Sequence, residues 1–224
     1  MQGELYMGRK YASIHIFDIE QEKNLLIIRD FYNNDTSFET AIHNSMNIFA
    51  TGEAQQMFDR FSQLFVSEVI ILKSHSFISI YDETISFKTV EKKVEELSGI
   101  INNPLIYTSN YDGDLFIFGV YHAGHYITGG KVGNYLSIYG LEPEQVNIDA
   151  FCMELSVKRA ASMDCLITSN KICEIEKEIE KIIEMPLNVK IDAILNNCQN
   201  FAEVDNEKRV RIYKRIHQLG KQYR

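Results

Sequence analysis

The chain of 224 residues has no tryptophan and only 3 prolines. So little proline excludes a polyproline spacer or a Pro-rich recognition tract. Its 12 glycines are too few for a collagen-like or glycine-rich low-complexity chain. No run of about 18 apolar residues occurs, so no membrane-spanning helix is expected. The opening MQGELYMGRKY lacks the apolar core of a secretory signal. Residues 1–6 read as a mobile extension or an upstream start before Met7. The four cysteines, Cys152, Cys165, Cys173 and Cys198, form no C-x-x-C pair and no zinc-ribbon spacing. Reduced thiols in a cytoplasmic protein, without a cofactor, are therefore expected. There is no G-x-S-x-G, no G-x-x-x-x-G-K-[ST] and no G-x-G-x-x-G, and no cysteine sits in a recognisable catalytic setting. Cys152, within Ala150-Phe151-Cys152-Met153, reads as buried and inert.

What is present is enough apolar material for a core. Hydrophobic residues make up 45% and charged residues 24%, and a chain of this length buries most of its unfolded surface without metal or disulfide. The formal charge is −8, unevenly placed. Residues 208–224 carry seven bases (Lys208, Arg209, Arg211, Lys214, Arg215, Lys221, Arg224) and no acid. The remainder holds all 31 acids against 16 bases. A body this acidic repels a phosphate backbone, which disfavours nucleic acid as a partner.

Periodicity divides the chain. Tyr11–Phe17 alternates, with Ala12, Ile14 and Ile16 on one face and Tyr11, Ser13, His15 and Phe17 on the other, the pattern of a strand. Asn24–Tyr32 is apolar and fits either a strand or a helix, Phe38–Phe49 is weakly helical, and Glu53–Phe65 has helical spacing. Glu68–Leu72 and Phe77–Tyr81 read as strands. Ser86–Asn102 reads as a helix, with Val90, Val94, Leu97 and Ile101 on one stripe and Pro104 as its stop. Asp112-Gly113 between Leu105–Asn110 and Leu115–Tyr121 signals a tight hairpin. After Ala123-Gly124 the chain returns through Tyr126–Thr128. A short helix is expected at Tyr135–Tyr139, with Gly140 at its end. Beyond Pro143 the pattern turns helical: Ile172, Ile175, Ile179, Ile182 and Ile183 form a stripe, and Ile212, Ile216 and Leu219 suggest a helix over Glu207–Leu219.

Ser13–Asp18 and Ser76–Asp82 echo one another, each ending in an aromatic residue and Asp. The order strand, helix, strand, strand, helix, strand over 10–111 is the split βαβ layout, which would make the two echoing strands central neighbours. The expected fold is therefore α+β: a mostly antiparallel, ferredoxin-like sheet extended by a hairpin. Helices cover one face, and a helical C-terminal segment packs against the sheet. Residues 1–142 would form the sheet domain and 143–224 the helical segment, or the two would make a single domain.

Several clusters invite a chemical reading. Gly129-Gly130-Lys131-Val132-Gly133-Asn134 reads as a glycine-rich turn before a short helix. Gly129, Gly130, Lys131, Gly133 and Asn134 could hold a small anion through backbone N–H groups and the Lys131 ammonium, although turn geometry alone explains them. His122 and His125 flank a tight turn and could share a metal, with Asp112, Asp114 or His15 as a third ligand. Asp112 and Asp114 form a D-x-D, and Asp82-Glu83 ends a strand. Tyr11, Phe17, Phe77 and Tyr81 could in principle stack on bases, but the glycine that would precede Phe77 in an RNA-binding strand is absent. Aromatic residues crowd the hairpin Leu115–Tyr126, which suggests a protein-binding edge or a homodimer. The expected function is that of a non-catalytic cytoplasmic protein acting through protein–protein contacts. The alternative is a small-molecule or anion-binding protein, or an enzyme, built on 129–134 with the nearby His and Asp residues.

Overall fold

A computed structural model of the chain describes residues 10–18, 22–35, 40, 66–189 and 210–216. The fold is α+β. Six strands form an antiparallel sheet: β1 (Lys10–Phe17), β2 (Val66–Lys73), β3 (Phe77–Asp82), β4 (Leu105–Tyr111), β5 (Leu115–His122) and β6 (His125–Gly133). A seventh, β7 (Val210–Ile216), adds to the outer side of β2, giving the order β6-β5-β4-β1-β3-β2-β7. The two echoing strands, β1 and β3, are central neighbours, with Ile14 opposite Ile80 and His15 opposite Ser79.

Alternation along the strands builds two cores, one on each face. Ala12, Ile14 and Ile16 point to the first, with Ile78, Ile80, Leu105 and Ile117. This face is covered by α1 (Glu22–Asn34) and α2 (Val90–Ser98). The segment that fitted either a strand or a helix is thus helix, burying Leu25, Ile28 and Tyr32 at helical spacing. In α2 the stripe Val90, Val94, Leu97 is fully buried, and Ile101 follows it into the core. The helix stops at Gly99, five residues before the expected break at Pro104.

The second face carries Phe77, Tyr81, Ile106, Phe116 and Phe118. It is covered by α3 (Ile148–Glu154), α4 (Cys165–Thr168) and α5 (Ile172–Ile183). The isoleucine stripe of α5 is buried as expected, with Ile175, Ile179 and Ile183 wholly inaccessible. Polar bonds pin this layer to the sheet. Glu176 Oε1 accepts from the Tyr11 hydroxyl at 2.5 Å and from Asn110 Nδ2 at 2.7 Å, and the Tyr81 hydroxyl donates to the Pro186 carbonyl.

Two turns match their sequence signals. Asp112 and Gly113 both have positive φ, 58° and 75°, as a type I′ hairpin requires. Gly140, with φ of 72°, closes the short 3-10 helix Leu136–Tyr139. Three expectations are corrected. Gly129-Gly130-Lys131 belongs to strand β6, not to a turn. The expected helix over Glu207–Leu219 contains a strand, β7, whose residues 210–216 pair with β2 from Val210↔Leu72 to Ile216↔Val66. The segment after residue 142 therefore supplies a strand as well as helices. Finally, the aromatic hairpin is core: Phe116 and Phe118 are buried, and of its phenylalanine and tyrosine rings Tyr126 alone is markedly exposed. Residues 1–6, the weak helix at 38–49 apart from Thr40, the helix at 53–65 and Cys198 lie outside the described residues.

Candidate functional site

The expected anion site is occupied by its own neighbours. Lys131 Nζ lies 3.0 Å from Glu144 Oε2 and 3.9 Å from Glu91 Oε1. Its backbone N–H donates to the Glu144 carbonyl at 3.0 Å. The glycines have a packing reason. A β-carbon on Gly130 would lie 2.6 Å from the Phe118 ring, and one on Gly129 would lie 2.3 Å from the Phe118 carbonyl oxygen. Gly133 would strike the Asp114 carbonyl. Asn134 precedes the 3-10 helix without capping it, since that position falls to Tyr135.

Around Lys131 the sheet carries a tyrosine–carboxylate cluster. The Tyr107 hydroxyl donates to Glu91 Oε1 at 2.5 Å, and the Tyr126 hydroxyl donates to Glu144. Burial, reinforced by these carboxylates, pushes the Tyr107 and Tyr126 hydroxyls well above the usual tyrosine range and Tyr121 up to about 12. These phenols stay protonated, and Tyr107 and Tyr126 serve as donors.

His122 and His125 do face each other across the β5–β6 turn. His122 Nδ1 is 2.8 Å from Glu154 Oε2. Asp112 and Asp114 sit at the far end of β5, and His15 is inside the sheet core. Among the described residues no three metal-ligating side chains come together. His15 belongs instead to a buried polar string. Its Nε2 is 2.9 Å from Ser13 Oγ, its Nδ1 2.7 Å from Ser79 Oγ, and Ser13 Oγ is 2.8 Å from Thr108 Oγ1. Burial pushes the imidazole down to about 3, so it is neutral and holds three strands together. Asp82 is also structural: its carboxylate caps Thr84 and lies 3.6 Å from the buried Lys93 ammonium, which also pairs with Asp35. Phe77 and Tyr81 are buried in the second core beneath the C-terminal helices, and Tyr11 and Phe17 are packed partly against it, so the four rings form no open stacking face among the described residues. Cys152 is buried beside Met163, as expected, and burial pushes its thiol up.

The concavity that the sequence did not reveal lies at the carboxyl end of β1. It is a cleft of about 350 Å³ lined by Phe17, Asp18, Lys23, Asn24, Ile27, Ile100, Asn102 and Asn103. Three chain segments meet there: the end of β1, the first turns of α1, and the loop between α2 and β4. Asp18 and Asn24 are buried, and Asn24 Nδ2 donates to Asp18 Oδ2 and to Asn103 Oδ1, both at 2.9 Å. Leu26, on the turn of α1 after Lys23, is 53% exposed, and Ile100 is 52% exposed. The turn at Ala123-Gly124 abuts the same end, with the Gly124 N–H donating to Ser98 Oγ at 3.1 Å. A buried asparagine inside the apolar run Asn24–Tyr32 was the one available sequence signal.

Compared with known proteins, the chain matches no family model, no curated protein and no solved structure. No helix among the described residues is long and apolar enough to cross a membrane.

Proposed function

We propose that this is a non-catalytic protein working through protein–protein contacts, and that its contact surface is the end of the sheet around the β1 cleft. One observation carries the reading: Ile100, about half exposed, lines a concavity with a buried, hydrogen-bonded polar floor, and Leu26, equally exposed, precedes the lining residue Ile27 on α1. Large apolar side chains left in water beside a pocket are where interface energy concentrates. The alternative, an anion held at 129–134, has less behind it, because the Lys131 ammonium and amide are already engaged by Glu144. Cys152, Cys165 and Cys173 carry free thiols, which accords with a reducing, cytoplasmic setting. We read β1–β4, ordered β4-β1-β3-β2, as a split βαβ, ferredoxin-like unit extended by β5 and β6.

The test is retention of a partner from native cells by the whole chain. Ile100→Lys should abolish it. Ile138→Lys, which alters an equally apolar and more exposed side chain at the other end of the sheet, should leave it intact. Equal retention by all three proteins would sink the reading.

A further inference from the structure

We infer that the β1 cleft receives a neutral amide on an extended segment of a partner polypeptide, with the segment's apolar side chain seated on Phe17, Ile27 and Ile100. The inference rests on the contact surface proposed above and names what that surface grips.

The polar floor has a fixed orientation. Asn24 is nine-tenths buried and spends both amide hydrogens, one on Asp18 Oδ2 and one on Asn103 Oδ1. Rotating the Asn24 amide by half a turn would set its oxygen against the Asp18 and Asn103 oxygens, acceptor against acceptor, so the arrangement is unambiguous. It leaves Asn24 Oδ1 with no donor among the described residues. Asn103 Oδ1 is used, so its Nδ2 remains the open group. The cleft thus presents an acceptor and a donor from adjacent carboxamides, with the Asn102 carboxamide beside them. Asn24 Oδ1 opens to the cleft rather than being sealed, so a ligand donor replaces solvent there for a modest net gain.

Charge selects what fills it. Asp18 lies directly behind Asn24 and opposes an anion. Lys23, exposed and without an ion pair among the described residues, opposes a cation. A neutral amide avoids both penalties, and its N–H and C=O match the Asn24 oxygen and the Asn103 amide group. The apolar wall then calls for a hydrocarbon side chain next to that amide. A cleft of about 350 Å³ is at the small end of ligand sites. It admits one or two residues of a strand or loop, not the face of a folded domain.

The experiment uses the full chain and N-acetyl-leucine N-methylamide as probe, followed by NMR of backbone and side-chain amides, with free leucine as the charged comparison. The expected result is saturable movement of the Asn24 and Asn103 side-chain amides and of residues 100–103 with the capped probe, and at least about fivefold weaker binding of free leucine. Asn103→Asp keeps the acceptor for Asn24 but removes the open donor, and should weaken the probe by about fivefold. Ile100→Lys, at an exposed position that leaves the fold intact, should remove binding. No saturable movement, or free leucine binding as tightly as the capped probe, would overturn the inference; the second result would assign the cleft to a free zwitterion. If the probe fails while Ile100→Lys still abolishes partner retention, the contact surface stands and the amide assignment alone falls.

Discussion

Gly119 of β5 and Gly129 of β6 are direct partners at the β6 edge of the sheet, and aromatic side chains occupy the space a β-carbon would need on either. The Tyr107 and Tyr126 rings lie 2.6 and 2.9 Å from such an atom on Gly119. The strand keeps its flat glycine pair because tyrosines from β4 and β6 cover it, the aromatic compensation that weak strand glycines require.

Gly129→Ala should therefore destabilise the protein by about 1–3 kcal/mol, the cost of overpacking against backbone. Gly99→Ala should have the opposite sign. Gly99 ends α2 with φ of −71°, and an added β-carbon would meet only ordinary contacts. A gain of about 0.4–1 kcal/mol is expected there from reduced unfolded-state entropy. Urea midpoints at constant slope would check both.

Stability should fall as pH falls below about 6.5. Unfolded histidine takes up its proton near that pH, whereas burial holds folded His15 neutral down to about 3. Between these values the unfolded chain binds a proton that the folded chain does not. His15 alone then removes about 1.4 kcal/mol per pH unit, and removes nothing above pH 6.5. Urea titrations from pH 7.5 to 4 should show a slope that flattens in His15→Asn, which keeps polar atoms in the string but does not titrate. An unchanged slope would contradict the account.

Lys93 is buried on the first face of the sheet between Asp35 and Asp82, with the Tyr32 ring 5.3 Å from its ammonium. Lys93→Met would leave two buried carboxylates without their cation and should cost about 3–5 kcal/mol. Adding Asp82→Asn should recover part of that loss, because one orphaned charge is then gone. Chemical denaturation of the single and double variants measures the coupling.

The sheet was legible wherever a hydrophobic period ran unbroken. β1, β3 and the stripes of α2 and α5 each alternate cleanly, and Asp112-Gly113 marks its own turn. Three elements misled for physical reasons. α1 has four consecutive apolar residues, Leu25–Ile28, which blur a 3.6 period into a run. β7 places Ile212 and Ile216 four apart, which satisfies a helix, while its β-branched residues suit a strand equally. Glycines in β6 mimic a turn because sequence carries no sign of the neighbours that fill their missing β-carbons, the Phe118 ring, the Tyr126 hydroxyl and the facing backbone carbonyls of Phe118 and Asp114. Of the cleft, only Asn24, polar at the head of an apolar run, left a trace in the sequence. Asp18 reads as a strand end, Asn24 as the head of an apolar run that fits strand or helix, and Asn103 carries no signal of its own between the helix and Pro104. The β1–β4 pairing brings Asp18 and Asn103 to the same end of the sheet, and α1 carries Asn24 to both.

The most direct test of the central claim is site-specific photocrosslinking in native cells from single probe positions. A probe at Leu26 or Ile100 should give one discrete protein adduct, and a probe at Ile138 none. Adducts absent from both Leu26 and Ile100, or formed equally at Ile138, would contradict the assignment of this end of the sheet as the contact surface.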